Sequence, residues 1–327
     1  MALPDVSKTF GALAGLGLVL QWAVMAWNGS LFAIFSLPLG GVFPTGIPIK
    51  TTWTGIWLID YVLSVNIVFF GVLNNLAELP DLGPYLSLLD IAIFLIVLIM
   101  IPALWQFYRS YGGVGFTSPI YLGLYLKSRS GKCSRVPADQ AQALPLTAIW
   151  IVVISSTLFA PAILGGSSFD FQDAVVVWHV APVTLGIFQD LASLSFRSGL
   201  YAGFESPVKL SYLIVGSLSA VGHIAINWCI FQSPELTWSR VFWPDHSTVQ
   251  DGVTLTRDGA TLFLQYDHAI INVCIIIFGS YMLKARTKFV ALVVFTLIAG
   301  PGGALAWILY QKESELDNEA NVKKMVY

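Results

Sequence analysis

Tyr85 to Met100 reads YLSLLDIAIFLIVLIM, an apolar run broken by one ionisable side chain, Asp90. A hydrocarbon core about 30 Å thick is crossed by roughly 20 apolar residues wound as a helix. Extended to Phe107 the run meets that length, and seven further segments do the same, at about 10–36, 53–76, 143–165, 174–194, 208–231, 263–283 and 288–310. In lipid the backbone must satisfy its own hydrogen bonds, which leaves helices and closed barrels. None of the runs alternates with the rhythm of a membrane barrel strand. The chain therefore reads as an all-α polytopic membrane bundle of about eight transmembrane helices, within a range of seven to nine. Composition agrees, since the 327 residues are 56% hydrophobic and 11% charged with a mean hydropathy of +0.73. An average soluble domain carries about 25% charged residues.

Residues 1–312 form one transmembrane domain in this reading, and 313–327 a polar C-terminal tail. The first apolar run lacks the charged region and cleavage site of a signal peptide, so it is expected to stay in the membrane. Phe116 to Leu126 contains Pro119, falls short of a span and precedes the polar insert Lys127 to Gln142, which suits an interfacial or re-entrant helix or a ninth span. Cytosolic loops collect Lys and Arg. With eight spans, eleven of the 17 Lys and Arg fall on one side, which predicts both termini on the non-cytosolic face. The expected location is an integral one, in the endoplasmic reticulum. The long loop Gln232 to Leu262, with Trp238, Trp243, His246 and Asp251, suits either an interfacial loop or a cap over a membrane-side cavity.

A formal charge of -2 without a basic block argues against nucleic acid as a partner. Cys133, Cys229 and Cys274 lie too far apart for a C-x-x-C site and read as core thiols. No nucleotide, hydrolase or metalloprotease signature occurs, so no cofactor is implied. Metal-dependent prenyl diphosphate chemistry would need clustered aspartates for Mg²⁺. No two acidic residues are adjacent and no D-D-x-x-D is present, so no metal is expected. Gly300-Pro301-Gly302-Gly303 falls inside the last span, where a helix kink accounts for it.

Ionisable groups inside a span cost at least about 2.5–3.5 kcal/mol at the helix centre and mark function by default. Here they are Asp60, Asp90, Asp190, Asp267, His179, His223 and His268, with Glu78 at a span end. Asp60 lies well inside the second span among aromatics, with Ser64 one turn on and Asn66 deeper. Desolvation penalises the anion there, so the spacing predicts an acid that holds a proton and can donate it. Asp267, in Phe263-Leu-Gln-Tyr-Asp-His268, opens the seventh span, as a proton acceptor or as a helix N-terminal acid favoured by the macrodipole. Asp190 and Asp90 rank next, and His223 among small residues suits helix packing. Trp57, Tyr61, Tyr266 and His179 lie close in sequence or in depth to these acids, and aromatic faces stabilise cations.

Thr54-Gly-Ile-Trp-Leu-Ile-Asp-Tyr61 and Phe263-Leu-Gln-Tyr-Asp267 resemble a family of fungal polytopic proteins that includes the ascofuranone-type membrane-bound terpene cyclases. The resemblance implies a secondary-metabolism cyclase acting on a prenyl chain of a meroterpenoid or sesquiterpenoid. It starts the cascade by protonating an epoxide or terminal alkene, in keeping with the missing metal motif. Asp60 is then the general acid and Asp267 the relay or final acceptor, with Asp190 and Asp90 as further acids. Trp57, Tyr61, His179 and Tyr266 would line the site of a lipophilic prenylated substrate entering sideways from membrane lipid. A transporter or lipid-binding membrane protein would use the same acids as a path, although the paired halves of many transporters are not seen. An isoprenoid or sterol double-bond isomerase would differ by leaving the ring count unchanged.

Overall fold

The computed structural model of the chain describes residues 5–73, 81–100, 114–129, 136–198, 203–249, 252–283 and 287–326. Glu78, Asp251 and Cys133 lie outside them, as does the centre of the polar insert. The helices are α1 Val6–Trp27, α2 Ser30–Gly40, α3 Trp57–Leu73, α4 Leu82–Met100, α5 Val114–Arg129, α6 Ala138–Thr157, α7 Ser168–Arg197, α8 Pro207–Gln232, α9 Leu255–Leu283 and α10 Thr287–Val326. Seven of them, α1, α4 and α6 to α10, are long and apolar enough to cross a membrane, and α2 and α3 are shorter apolar helices. No β-strand is present among the described residues, only an isolated bridge between Val42 and Pro48.

The run 10–36 is not one helix. Asn28 and Gly29, the latter at φ +82°, stop α1 and start α2, a conformation glycine adopts without a Cβ penalty. Inside α1 the turn Val19–Ala23 is a π-turn, a widening that often occurs at functional sites. It carries Gln21, fully buried, and Trp22.

Small residues let α1, α5 and α9 approach closely, as is common where helices meet in lipid. A Cβ on Gly17 would lie 2.5 Å from the Gly115 carbonyl oxygen, and one on Gly123 would lie 2.8 Å from Phe10 Cβ. These pairs make α5 antiparallel to α1. Gln21 meets Asp267, and Thr9 approaches Tyr281 at 3.4 Å, so α9 is also antiparallel to α1. The start of α5 therefore lies at the depth of Gln21 and Asp267, about 18 Å along α1 from Thr9 by helix rise. The short Phe116–Leu126 stretch is a helix inserted among the others, not one lying along the interface.

The last segment, expected as a single span over 288–310, reverses direction instead. Gly300 has φ +72° and non-helical ψ. Leu292 and Ile308 both fall within 2.8 Å of a Cβ placed on Gly279, and the rings of Phe295 and Trp307 are 5.6 Å apart. In a straight helix residues 292 and 308 would be about 24 Å apart. The two arms form a hairpin whose tip packs on His223, where a Cβ on Gly300 would meet the ring at 2.7 Å.

This reversal changes the charge distribution. Ile308 sits by Gly279, near the α9 end that meets Thr9, and the second arm continues to a Lys209–Asp317 ion pair of 2.8 Å. Arg197 pairs with Asp139 at the same end of the bundle, since Gln142 donates to the Phe204 carbonyl at 2.9 Å just before α8. Lys8, Lys127, Arg197, Lys209 and Lys312 thus gather at the face where α1 starts and the second arm of α10 runs out. Lys50, bound to Asp173 at 2.6 Å, lies at the other face with Arg240 and Arg257. The positive-inside rule then favours cytosolic termini, opposite to the orientation expected from eight unbroken spans. A C-terminal fluorescent fusion should be accessible to cytosolic protease in spheroplasts, and glycosylation of a C-terminal acceptor tag would contradict it. Gly300→Ala should destabilise the protein by at least about 1–2 kcal/mol, the cost of a left-handed conformation for a residue with a Cβ, read as a lower thermal midpoint in detergent.

Candidate active site

Between α1, α2, α3, α4, α7 and α9 lies a cavity of about 260 Å³. Its middle is aromatic. Trp22 and Phe69 each meet Phe263 edge-on, at 5.8 and 5.3 Å, and Phe70 meets Trp178 at 5.3 Å. The π-turn of α1 turns Trp22 into this wall. Among the described residues that line it, the polar side chains include Asp267, His179, Asn66, Ser155 and Tyr61.

Asp267 is 1% exposed. Its Oδ1 accepts from the Gln21 side-chain amide and the Gly115 N–H, and the Val114 N–H also donates to the carboxyl. Val114 and Gly115 open α5, so these are N–H groups that a helix start leaves without intrahelical partners. The positive end of the helix dipole is turned on the carboxyl. Gly115 has to be glycine because a Cβ would lie 2.9 Å from Asp267 Oδ1 and 3.3 Å from Gln21 Nε2. On the Asp267 side of the cavity this gives one carboxyl, enclosed by donors and facing an apolar space.

Three of the eight residues singled out from sequence line the cavity: Asp267, His179 and Tyr61. Tyr61 also donates to the Phe35 carbonyl at 2.8 Å. Asp60 does not line it. Its Oδ1 accepts from Trp53 N at 3.2 Å, Thr54 N at 2.8 Å and Thr54 Oγ1 at 2.9 Å, and its Oδ2 from Gly55 N at 3.0 Å. Four donors converge on it, so the carboxyl expected deep in a span is engaged by the chain just before α3 and not by the cavity. Asp60 sits in the first turn of α3 and closes the Trp53–Gly55 turn, where Gly55 has φ +77°. The Thr54–Tyr61 motif is thus a built turn at a helix start. Trp57 is 71% exposed and stacks on Tyr61 at 5.6 Å.

Asp90 belongs to a separate buried cluster. It meets His223 Nδ1 at 2.7 Å and His268 Nδ1 at 3.5 Å, while His268 Nε2 faces Ser87 Oγ and O at 3.2 Å. Asp190 lies in a polar seam between α6 and α7, 3.4 Å from Gln140 Nε2. Tyr266 pairs with His246 at 2.6 Å, away from the cavity. The Gln232–Leu262 loop is tied down by Arg240 to Asp81 and Asp258, and none of its described residues lines the cavity. Gln21, Trp22 and Phe69 escaped a search confined to ionisable groups, and Asn66 entered it only as a neighbour of Asp60. An amide inside an apolar run was the available signal. Among the described residues no group of three His, Cys, Asp or Glu side chains is placed to hold a metal ion.

The chain belongs to the family defined by the CtvD domain, whose model matches residues 8–316. Within curated proteins it is similar to terpene cyclase DEP1 of Alternaria brassicicola, at 24% identity over 96% of this chain and 100% of the relative. It is also similar to terpene cyclase DEP1 of Fusarium langsethiae, at 23% over 93% and 97%, and to terpene cyclase alnG of Emericella nidulans, at 23% over 91% of each. No solved structure matches the chain.

Gly115→Ala forces Asp267 and Gln21 apart and should lower the thermal midpoint, with a loss within the roughly 1–3 kcal/mol typical of overpacking. An unchanged midpoint would mean that the α1–α5–α9 contact is looser than described.

Proposed function

We propose that the protein is an integral-membrane terpene cyclase of fungal secondary metabolism, resident in the endoplasmic reticulum, which cyclises a prenyl chain without a metal by protonating an alkene or epoxide. Meroterpenoid and sesquiterpenoid chains are the expected substrates, in line with the ascofuranone-type resemblance. The observation that carries this reading is Asp267, an enclosed carboxyl at the wall of an aromatic cavity, and the names of the relatives support it. Asp267 takes the role of general acid that the sequence suggested for Asp60.

Asp267 passes its proton to the terminal alkene carbon or the epoxide oxygen, and the electron pair of the neighbouring double bond closes the ring onto the cation that forms. The ring cation then loses a proton from an adjacent carbon back to the Asp267 carboxylate, which leaves a neutral cyclic isomer and restores the acid. The carboxylate left behind is held by Gln21 and the first N–H groups of α5, so the charge pair is stabilised without water. Gln21 Oε1 has no partner among the described residues, so the same amide can accept from the protonated acid and donate to the anion. Trp22, Phe69, Phe70 and Phe263 turn aromatic surface to the cation, and the apolar wall keeps water from quenching it.

The test uses purified protein in nanodiscs with EDTA, given prenylated phenols, farnesyl derivatives and their terminal epoxides, with products read by mass spectrometry. A cyclic isomer of unchanged mass is expected. Asp267→Asn should lower kcat by about 10²–10⁴, the usual worth of a general acid. Asp60→Asn should lower the thermal midpoint while turnover per folded molecule persists. Turnover that survives Asp267→Asn and is lost in folded Asp60→Asn would contradict the assignment.

A further inference from the structure

Two polar groups in the cavity are not used by protonation. His179 Nδ1 lies 2.8 Å from the Val175 carbonyl, which only accepts. In the neutral ring Nδ1 therefore carries the proton and Nε2 a free lone pair. That Nε2 is enclosed and has no hydrogen-bond partner, and the same holds for the Asn66 Nδ2 donor. Both residues line the cavity. Phe70 stands one turn beyond Asn66 on α3 and packs 4.9 Å from the His179 ring, with Trp178 against the same ring at 5.0 Å. Acceptor and donor thus share one region, fixed by aromatic contacts. Asp267 lies one turn from Phe263 on α9, and Phe263 meets Phe69, the neighbour of Phe70, at 5.3 Å.

Buried donors and acceptors in native proteins are nearly always paired, and an unmade bond in an apolar wall is expensive. Here one unpaired acceptor and one unpaired donor belong to side chains that line the same cavity, and a hydroxyl group has the donor and the acceptor to serve both. We infer that His179 Nε2 and Asn66 Nδ2 form a recognition site for one hydroxyl of the substrate, its O–H donating to Nε2 and its oxygen accepting from Nδ2. The substrate class is then a hydroxyl-bearing prenyl lipid, oriented with its alcohol at His179 and its reacting end at Asp267. This rests on the cavity being the substrate site of the proposed cyclase and adds what the site selects.

Binding of farnesol and of farnesyl methyl ether, which keeps the oxygen acceptor and lacks the donor, is compared by calorimetry in nanodiscs. Wild-type protein should bind the alcohol about tenfold more tightly, as expected for one buried hydrogen bond. His179→Phe should bind the two equally, and Asn66→Leu should weaken both by a similar factor. Equal binding by wild-type protein, as when a trapped water satisfies the pair, would overturn the inference, and so would a preference that survives His179→Phe. Because the readout is binding, it separates from catalysis. A preference kept by a wild-type protein that shows no cyclisation would refute the cyclase reading and leave the hydroxyl site standing.

Discussion

A carboxyl group enclosed in an apolar bundle has to be held, and the holding of Asp267 shapes three helices. α1 widens into a π-turn so that Gln21 can reach it. α5 begins deep in the bundle, and its first N–H groups, which lipid could not satisfy, end on the carboxyl. Gly17 and Gly115 bring the backbones close enough for this contact. Acid and helix start solve each other's problem, because each buried polar group is the other's partner. The same arrangement presents the carboxyl to an aromatic cavity.

The neighbouring residue shows how narrowly this is arranged. His268 follows Asp267 directly, yet points around α9 into the Asp90–His223 cluster beneath the α10 reversal. Two buried polar centres therefore lie on different faces of one helix. One opens on the cavity, while the other joins α4, α8, α9 and the hairpin tip at Gly300. The second centre gives the reversal its anchor, since Gly300 leaves no room for a side chain against His223.

Helix content and membrane class were legible from hydropathy alone, because lipid leaves the backbone few alternatives. Segment count and direction were not. Gly29 breaks a run that composition reads as continuous, and Gly300 folds back a run long enough to span. The Gly300 reversal brings the end of α10 to Lys209, and the charge argument for orientation reverses because the start of α1 lies at that same face. Among the residues that line the cavity, Asp267 and His179 were legible because an ionisable group in an apolar run is conspicuous. Asp60 stood out for the same reason: its position along the apolar run suggested a buried proton donor, while the turn of Trp53 to Gly55 folded back onto it is visible only in the tertiary structure. Gln21 carries no charge and passes unnoticed in a search for ionisable groups, and Asn66 stands out only as a neighbour of Asp60.

The chain belongs to the CtvD domain family and is similar to fungal terpene cyclases, and its cavity joins a buried carboxyl to aromatic walls. The proposed cyclisation requires Asp267 to carry the transferable proton in the resting protein. Infrared difference spectroscopy between wild-type protein and Asp267→Asn, in light and heavy water, measures this directly. A protonated carboxyl band that shifts in heavy water and is missing from the variant is the predicted result. A variant that loses only a carboxylate band would contradict the account, because Asp267 would then have no proton to give.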